Sequence, residues 1–322
     1  MISLKRVTIL FLFLFTIVLL TAQFASAQRL QIPQASQKAT VMQRIGLTEV
    51  SITYSRPAVK GRTIWGDAPT DAKGEATLDG SGTKGMPLVP YGHVWRTGAN
   101  ESTLFVVNDD VLINGQPLAA GRYSLHSIPS KDGDWTIIFN KDDGQWGSFS
   151  YDATKDALRV KTKPQWVADS QELLTCYIDP VTADSATVNI RWEKALVPFT
   201  VQVKDVAAKA IVHLRETVAA AKADDWQTPM SAAGYARTNK SPEDAAKWIN
   251  QSIKAIDMVI AAKPNFANMS RKASILFAAG RTQEAIASGE RAVAIGKGDS
   301  TVKATDIAAL EKRIADAKSA KP

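Results

Sequence analysis

Cysteine is nearly absent: Cys176 is the only one in 322 residues. No disulfide can form within the chain, so its stability has to come from buried apolar area. The thiol sits in the strand-like run Leu173-Leu174-Thr175-Cys176-Tyr177-Ile178 and reads as a small core residue rather than a nucleophile. Histidine is scarce too. His93, His126 and His213 share no ligand spacing, and neither a His-x-x-x-His nor a paired-cysteine pattern occurs, so no metal is expected. A Gly-x-Ser-x-Gly nucleophile turn and a glycine-rich phosphate loop are missing as well. No cofactor is expected, and conventional enzyme classes lose ground. Charge of one sign never accumulates: 39 Lys and Arg are interleaved with 32 Asp and Glu, without a run of five or six like charges. That leaves little for a nucleic-acid or polybasic membrane role.

Long apolar runs are lacking, and the one that exists is informative. Val7 to Leu20 spans 14 residues, where a membrane span needs about 20. It follows Lys5 and Arg6 and precedes Ala25-Ser26-Ala27, the layout of a secretory signal peptide (1–27) cut before Gln28. The expectation is an exported protein, periplasmic or secreted, with no transmembrane anchor after cleavage. Losing Lys5 and Arg6 lowers the formal charge of +7 by two. What remains exceeds one typical domain length and should form two cores, or one core with an appendage.

Two periodicities divide the mature chain. Within a β-rich domain set at 28–204, the apolar residues alternate from about Thr40 to Lys204: Ala186, Val188, Ile190 and Trp192 against Thr187, Asn189, Arg191 and Glu193, and likewise Trp135, Ile137 and Phe139. Such strands bury one face and wet the other, as antiparallel sheets do. Asn114-Gly115 and Asp132-Gly133 supply turns. The fold class expected is α+β, with an N-terminal antiparallel β-sandwich or barrel-like domain followed by an all-α helical-hairpin region over 205–322. There Ala245, Trp248, Ile249, Ile253, Ile256, Val259 and Ile260 form one stripe, headed by Ser241 as N-cap and a first-turn Pro242. Ile307, Leu310, Ile314 and Ala317 form another. The small residues Ala273, Ala278, Gly280, Ala285 and Ala292 are similar to one tetratricopeptide repeat, with 235–265 as a degenerate neighbour. An ordinary packed bundle explains the pattern equally well.

The segment 67–87 is rich in Gly, Thr, Asp and Lys and has almost nothing to bury. It reads as a mobile surface loop, an insertion rather than a lid. The stretches on either side, Ser55 to Gly66 and Val89 to Glu101, concentrate Arg, Trp, Gly and Asn without periodicity, as site walls do. If they meet, Arg56, Lys60, Arg62 and Arg96 can converge on an anionic or sugar-like ligand held between them and the Trp65 and Trp95 rings, with Asn100 and Glu101 alongside. The alternative is a structural network in which Glu101 pairs with Arg96 and both tryptophans are core. His126, on the strand face opposite Tyr123 and Leu125, is either an acid, base or ligand, or a hydrogen-bonded strand residue.

Several motifs carry a family resemblance: Ser55-Arg56-Pro57 with Lys60-Gly61-Arg62, Val89-Pro90-Tyr91-Gly92 with Val94-Trp95-Arg96-Thr97-Gly98-Ala99-Asn100-Glu101, Tyr123-Ser124-Leu125-His126, and Trp135 to Lys141 with Trp146-Gly147. Over about Gln43 to Val203 the chain resembles domain of unknown function 2911, found in exported proteins, notably of Bacteroidetes. The resemblance implies export and a β-rich domain, but no activity. Two functions stay open: a binding module for a polar or anionic ligand, whose helices contact a protein partner, and a hydrolase or lyase using Glu101 and His126 as an acid/base pair. A purely structural envelope module is the third.

Overall fold

The computed structural model describes residues 32–67 and 86–320; the predicted signal peptide and most of the 67–87 excursion lie outside them. The first sheet has six antiparallel strands in the order β1-β2-β5-β8-β9-β10. These are β1 Lys38–Ile45, β2 Thr48–Ser55, β5 Thr103–Val107, β8 Gly121–Ile128, β9 Trp135–Asn140 and β10 Asp156–Thr162. The second sheet has the order β11-β12-β6-β7, with β11 Gln165–Val181, β12 Ser185–Gln202, β6 Val111–Ile113 and β7 Gln116–Leu118. A short parallel pair, β3 Trp65–Gly66 and β4 Val89–Pro90, completes the β unit.

The sheets stack on one core instead of closing into a barrel. Ile52, Phe105, Leu125 and Ile137 of the first meet Ile113, Val188, Ile190 and Phe199 of the second. Alternation drives this: in β2 Val50, Ile52 and Tyr54 point inward and the residues between them are part-exposed. At one end Trp65 sits edge-on to Trp95, Trp135 and Trp192, with centroids 5.5, 5.0 and 5.8 Å away. The β6–β7 turn is Asn114-Gly115, with φ of +47° and +83°. A two-residue hairpin needs positive φ at both positions, which Asn and Gly tolerate.

Two strands, β8 from Tyr123 onward and all of β9, depart from the expected wet face. All six residues of β9 are buried, Thr136, Ile138 and Asn140 included. The chain after β9 folds back across the outer face of the sheet, so Tyr151 packs against a small cluster of Val94, Ile128 and Ile138. Asn140 secures that return by donating from Nδ2 to the Asp152 carbonyl (2.9 Å) and to Asp156 Oδ1 (2.8 Å).

Six helices follow: α1 Val206–Ala220, α2 Gln227–Thr238, α3 Pro242–Ala262, α4 Phe266–Ala278, α5 Thr282–Lys297 and α6 Ala304–Ser319. The α3 stripe is buried from Ala245 to Ile256. Ser241 occupies the N-cap position, but its hydroxyl donates to Asp244 Oδ2 (2.7 Å) instead of accepting a backbone N–H. Successive pairs α2–α3 and α4–α5 repeat with a constant offset. Ala233 and Ala273 are buried at matching places, as are Ala245 and Ala285. Lys240 (φ +56°) turns the first pair where Gly280 (φ +73°) turns the second. The helical unit has its own cores and touches the sandwich mainly through Val206, packed on the β core, and a Lys209–Asp109 ion pair of 2.5 Å. Among the described residues no helix is long and apolar enough to cross a membrane.

Candidate functional site

The two stretches flanking the excursion do meet. Leu88, Val89 and Tyr91 donate their N–H groups to the carbonyls of Thr63, Ile64 and Gly66 at 3.0, 2.8 and 2.8 Å. Of the cations they carry, Arg56, Arg62 and Arg96 are nevertheless spoken for, in two separate places. Arg56 donates from Nε to the Leu174 carbonyl (3.0 Å) and from one terminal nitrogen to Thr175 Oγ1 (2.8 Å). Arg62 closes its own turn on the carbonyls of Ala58 and Val59. The Lys60 N–H donates to Glu172 Oε1 (2.9 Å), leaving its ammonium in solvent. This first group ties the 56–62 segment to β11. Trp65 and Trp95 belong to the tryptophan cluster of the core, not to a ligand wall.

The second group gathers around one carbonyl. The Asn100 oxygen accepts from the Arg96 guanidinium (2.8 Å) and from the Gly147 N–H (2.9 Å). Asn100 itself, at φ +60°, donates from Nδ2 to the Ser36 carbonyl (3.0 Å) and to Ser55 Oγ (3.2 Å). Gly98 permits this loop to press on β2, since a Cβ there would lie 3.0 Å from Thr103 Oγ1 and 3.3 Å from the Ser55 carbonyl. Arg96 is 8% exposed, and its guanidinium lies 5.6 Å from the Phe149 ring centroid. Glu101 pairs across the main chain with Trp146. Phe149 and Trp146 are 60% and 56% exposed; two large aromatic rings left in water beside charges are what ligand-binding edges present.

Glu101 also lines a cleft of about 140 Å³ on the outer face of the six-stranded sheet, with Lys38, Ser55, Ser102, Arg122 and Gly144 among its walls. Lys38 Nζ stands 3.2 Å from Glu101 Oε1, and Arg122 Nε 2.7 Å from Asp143 Oδ2. The order β1-β2-β5-β8 carries these residues to one place: Lys38 is opposite Ser55, and Arg122 is opposite Val106. Both cations of the cleft are ion-paired, so a ligand carboxylate would share Lys38 with Glu101 and Arg122 with Asp143, while Glu101 can also accept from hydroxyl groups. Its size admits a single ring rather than a dinucleotide-sized cofactor. A larger groove of about 540 Å³ lies at the junction with α1, walled by Leu47, Asp109, Lys209 and Val212. Lys209 and Asp109 pair with each other there, and Asp205, His213 and Glu216 also line it.

His126 is fully buried beneath the returning chain, its ring edge-on to Tyr151 at 5.1 Å. Neither ring nitrogen has a hydrogen-bond partner among the described residues. Burial pushes its pKa down to about 4; Asp156 pulls it up and Arg96 pushes it down. The imidazole is therefore neutral near neutral pH. Tyr151 donates to Asp156 Oδ2 (2.7 Å), which also takes Arg159 Nε (2.6 Å). The structure thus brings Arg96, Asn100 and Glu101 to one edge, leaves Arg56, Lys60 and Arg62 on the β11 side, and seals His126 in. Cys176 is buried and unpaired, and burial raises its pKa.

Sequence reasoning missed Lys38, Arg122, Trp146 and Phe149 as site residues. Trp146-Gly147 was visible as a motif, but nothing local says that its ring stays in water. Lys38 and Arg122 belong to strands far apart in sequence, so only the sheet order reveals them.

A two-sheet β-sandwich bearing a charged edge cleft, with a separate helical unit behind it, is the class of protein these observations define. The model of the family described as Protein of unknown function (DUF2911) matches residues 36–201, just over half of the chain, and the chain belongs to that family. No curated protein matches it, and no solved structure does.

Proposed function

We propose that this is an exported, non-catalytic binding module of the cell envelope, whose sandwich takes a small polar or anionic, sugar-like ligand at the Glu101 cleft. Its helices contact a protein partner. The observation that carries the reading is the company Glu101 keeps: Lys38 and Arg122 share its cleft, and Trp146 is joined to it through the main chain. Two cations receive a carboxylate, Glu101 accepts from hydroxyls, and an exposed ring offers a flat apolar face. The helix pairs, repeating from residue 240 to residue 280, support a tetratricopeptide-like hairpin array, lengthened relative to the ~34-residue period of that repeat. The acid/base reading of Glu101 with His126 has less support, because His126 is not among the walls of the cleft and has no exposure.

Isothermal titration with uronic acids and the matching neutral hexoses tests the proposal. Wild type should take up the uronate, Arg122→Ala should weaken it roughly tenfold through loss of a charge-assisted contact, and the neutral sugar should bind more weakly than the acid. Equal, weak binding of every sugar by both proteins defeats the reading.

A further inference from the structure

The chain between β9 and β10, residues 141–155, crosses the outer face of the first sheet as a strap, and what it covers is ill suited to being covered. His126 lies beneath it with no exposure. A neutral imidazole has one N–H to give and one lone pair to fill, and an imidazolium has two N–H groups to give. Among the described residues neither ring nitrogen finds a partner. The acceptors around it are already taken. Asp156 Oδ1 accepts from Asn140 Nδ2 (2.8 Å), and Oδ2 accepts from the Tyr151 hydroxyl (2.7 Å) and from Arg159 Nε (2.6 Å). The oxygen of Tyr151, whose ring stands edge-on to the imidazole, also accepts from a terminal nitrogen of Arg159 (2.7 Å).

The charges that act on His126 are Asp156, at the start of β10, which favours a proton, and Arg96, in the loop before β5, which opposes one. Its neighbour across β9 is the uncharged Ile138. Tyr151, the titratable side chain that the strap sets against it, stays protonated because burial raises its pKa. A proton on the covered ring would sit in a dry place beside a guanidinium, with no acceptor to receive either N–H.

The strap itself is lightly held. Ser124 Oγ donates to the Asp142 carbonyl (2.8 Å), the Ser102 N–H to the Gln145 carbonyl (2.8 Å), the Gly147 N–H to the Asn100 carbonyl (2.9 Å) and Ser148 Oγ to the Val94 carbonyl (3.4 Å). Of its three aromatic rings only Tyr151 packs inward, on Val94, Ile128 and Ile138, while Trp146 and Phe149 are exposed. A segment with so little apolar contact opens locally, at less cost than unfolding the sheet. It also touches the Glu101 cleft: Gly144 is one of the walls, and Trp146 pairs with Glu101 through the main chain.

We propose that the strap is an acid-released cover: when it lifts, His126 takes a proton from water, and the lifted strap carries away one wall of the Glu101 cleft. This rests on the reading of that cleft as the ligand site, and supplies its regulation. The covered ring titrates at about 4 and an uncovered one near 6.5. Below 6.5 the lifted form therefore binds a proton that the closed form refuses, and the ratio of lifted to closed grows as the pH falls, roughly twentyfold from pH 7 to pH 5. Ordinary carboxylates stay ionised over that interval.

Hydrogen–deuterium exchange of the mature chain without ligand, at pH 7 and pH 5 and corrected for the intrinsic pH dependence of amide exchange, reads this ratio. In wild type the strap amides, Gly147 and Tyr151 among them, should gain roughly twentyfold in opening while those of β8 and β9 hold. His126→Leu and His126→Gln, one apolar and one polar but neither titrating, should show no such gain. The same gain in either variant, none in wild type, or a gain shared equally by β8 and β9 overturns the proposal. Saturating uronate should slow the wild-type strap at pH 5; a uronate that binds and leaves the strap exchanging as before overturns it too. No uronate binding at all defeats the cleft reading alone, and the strap is then judged on the exchange of the free protein.

Discussion

The sandwich and the helical unit solve the same problem, a core without disulfides, in opposite ways. The helices bury alanine and isoleucine, with Ser252, Asn268 and Ser288 their few buried polar residues. The sandwich buries a charged and polar layer, Arg96, Ser124, His126, Asn140 and Gln145 among it, beneath the chain that returns over β8 and β9. A buried polar group costs free energy unless it is bonded, so that layer specifies one arrangement of the loops around Arg96 and Glu101. The helices keep nearly all their polar groups outside, in water. The difference places the rigid, shaped site in the sandwich.

Replacing a ring of the tryptophan cluster breaks the comparison hardest. Trp135 is fully buried against Trp65, and Trp135→Ala should destabilise by about 3–5 kcal/mol. Because the two units have separate cores, calorimetry should show the sheet transition fall while the helical one holds. Coincident loss of both would mean a single cooperative unit.

His126 gives the next effect. Its folded pKa, about 4, lies below the ordinary 6.5, so between those values the unfolded chain binds a proton that the folded chain refuses. Stability is complete above pH 6.5 and declines as the pH falls toward 4, by up to about 3 kcal/mol. Urea unfolding from pH 7 to pH 4 should show this slope in wild type and a shallower one in His126→Leu. Parallel curves would remove the imidazole from the account.

The helical unit should respond more mildly and locally. A Cβ on Gly289 would stand 2.8 Å from Ile314 Cδ1, so Gly289→Ala crowds α5 against α6. The expected cost is about 1–2 kcal/mol, read as an earlier helical transition with uronate affinity unchanged. A fall in that affinity would couple the units.

Local patterns made most of the fold legible. Asn114-Gly115 declares its hairpin, and the Ala245 to Ile256 stripe its helix, because turn chemistry and period lie within a few residues. The buried outer face of β9 was not legible, since the cover comes from a segment that reads as loop. The site divided along the same line. Arg96, Asn100 and Glu101 fall in one non-periodic stretch and stay together, whereas Arg56 and Arg62 are drawn to β11 carbonyls and their own turn by contacts no spacing announces. Lys38 and Arg122 enter only through the sheet order.

The sharpest examination of the Glu101 cleft is amide chemical-shift mapping of the mature chain titrated with a uronic acid. Shifts should concentrate at Ser55, Ser102, Arg122 and Gly144 and need roughly tenfold more sugar in Arg122→Ala. Shifts gathered instead along the groove of Leu47, Lys209 and Val212, or none at saturating sugar, would contradict the assignment of this edge as the ligand site.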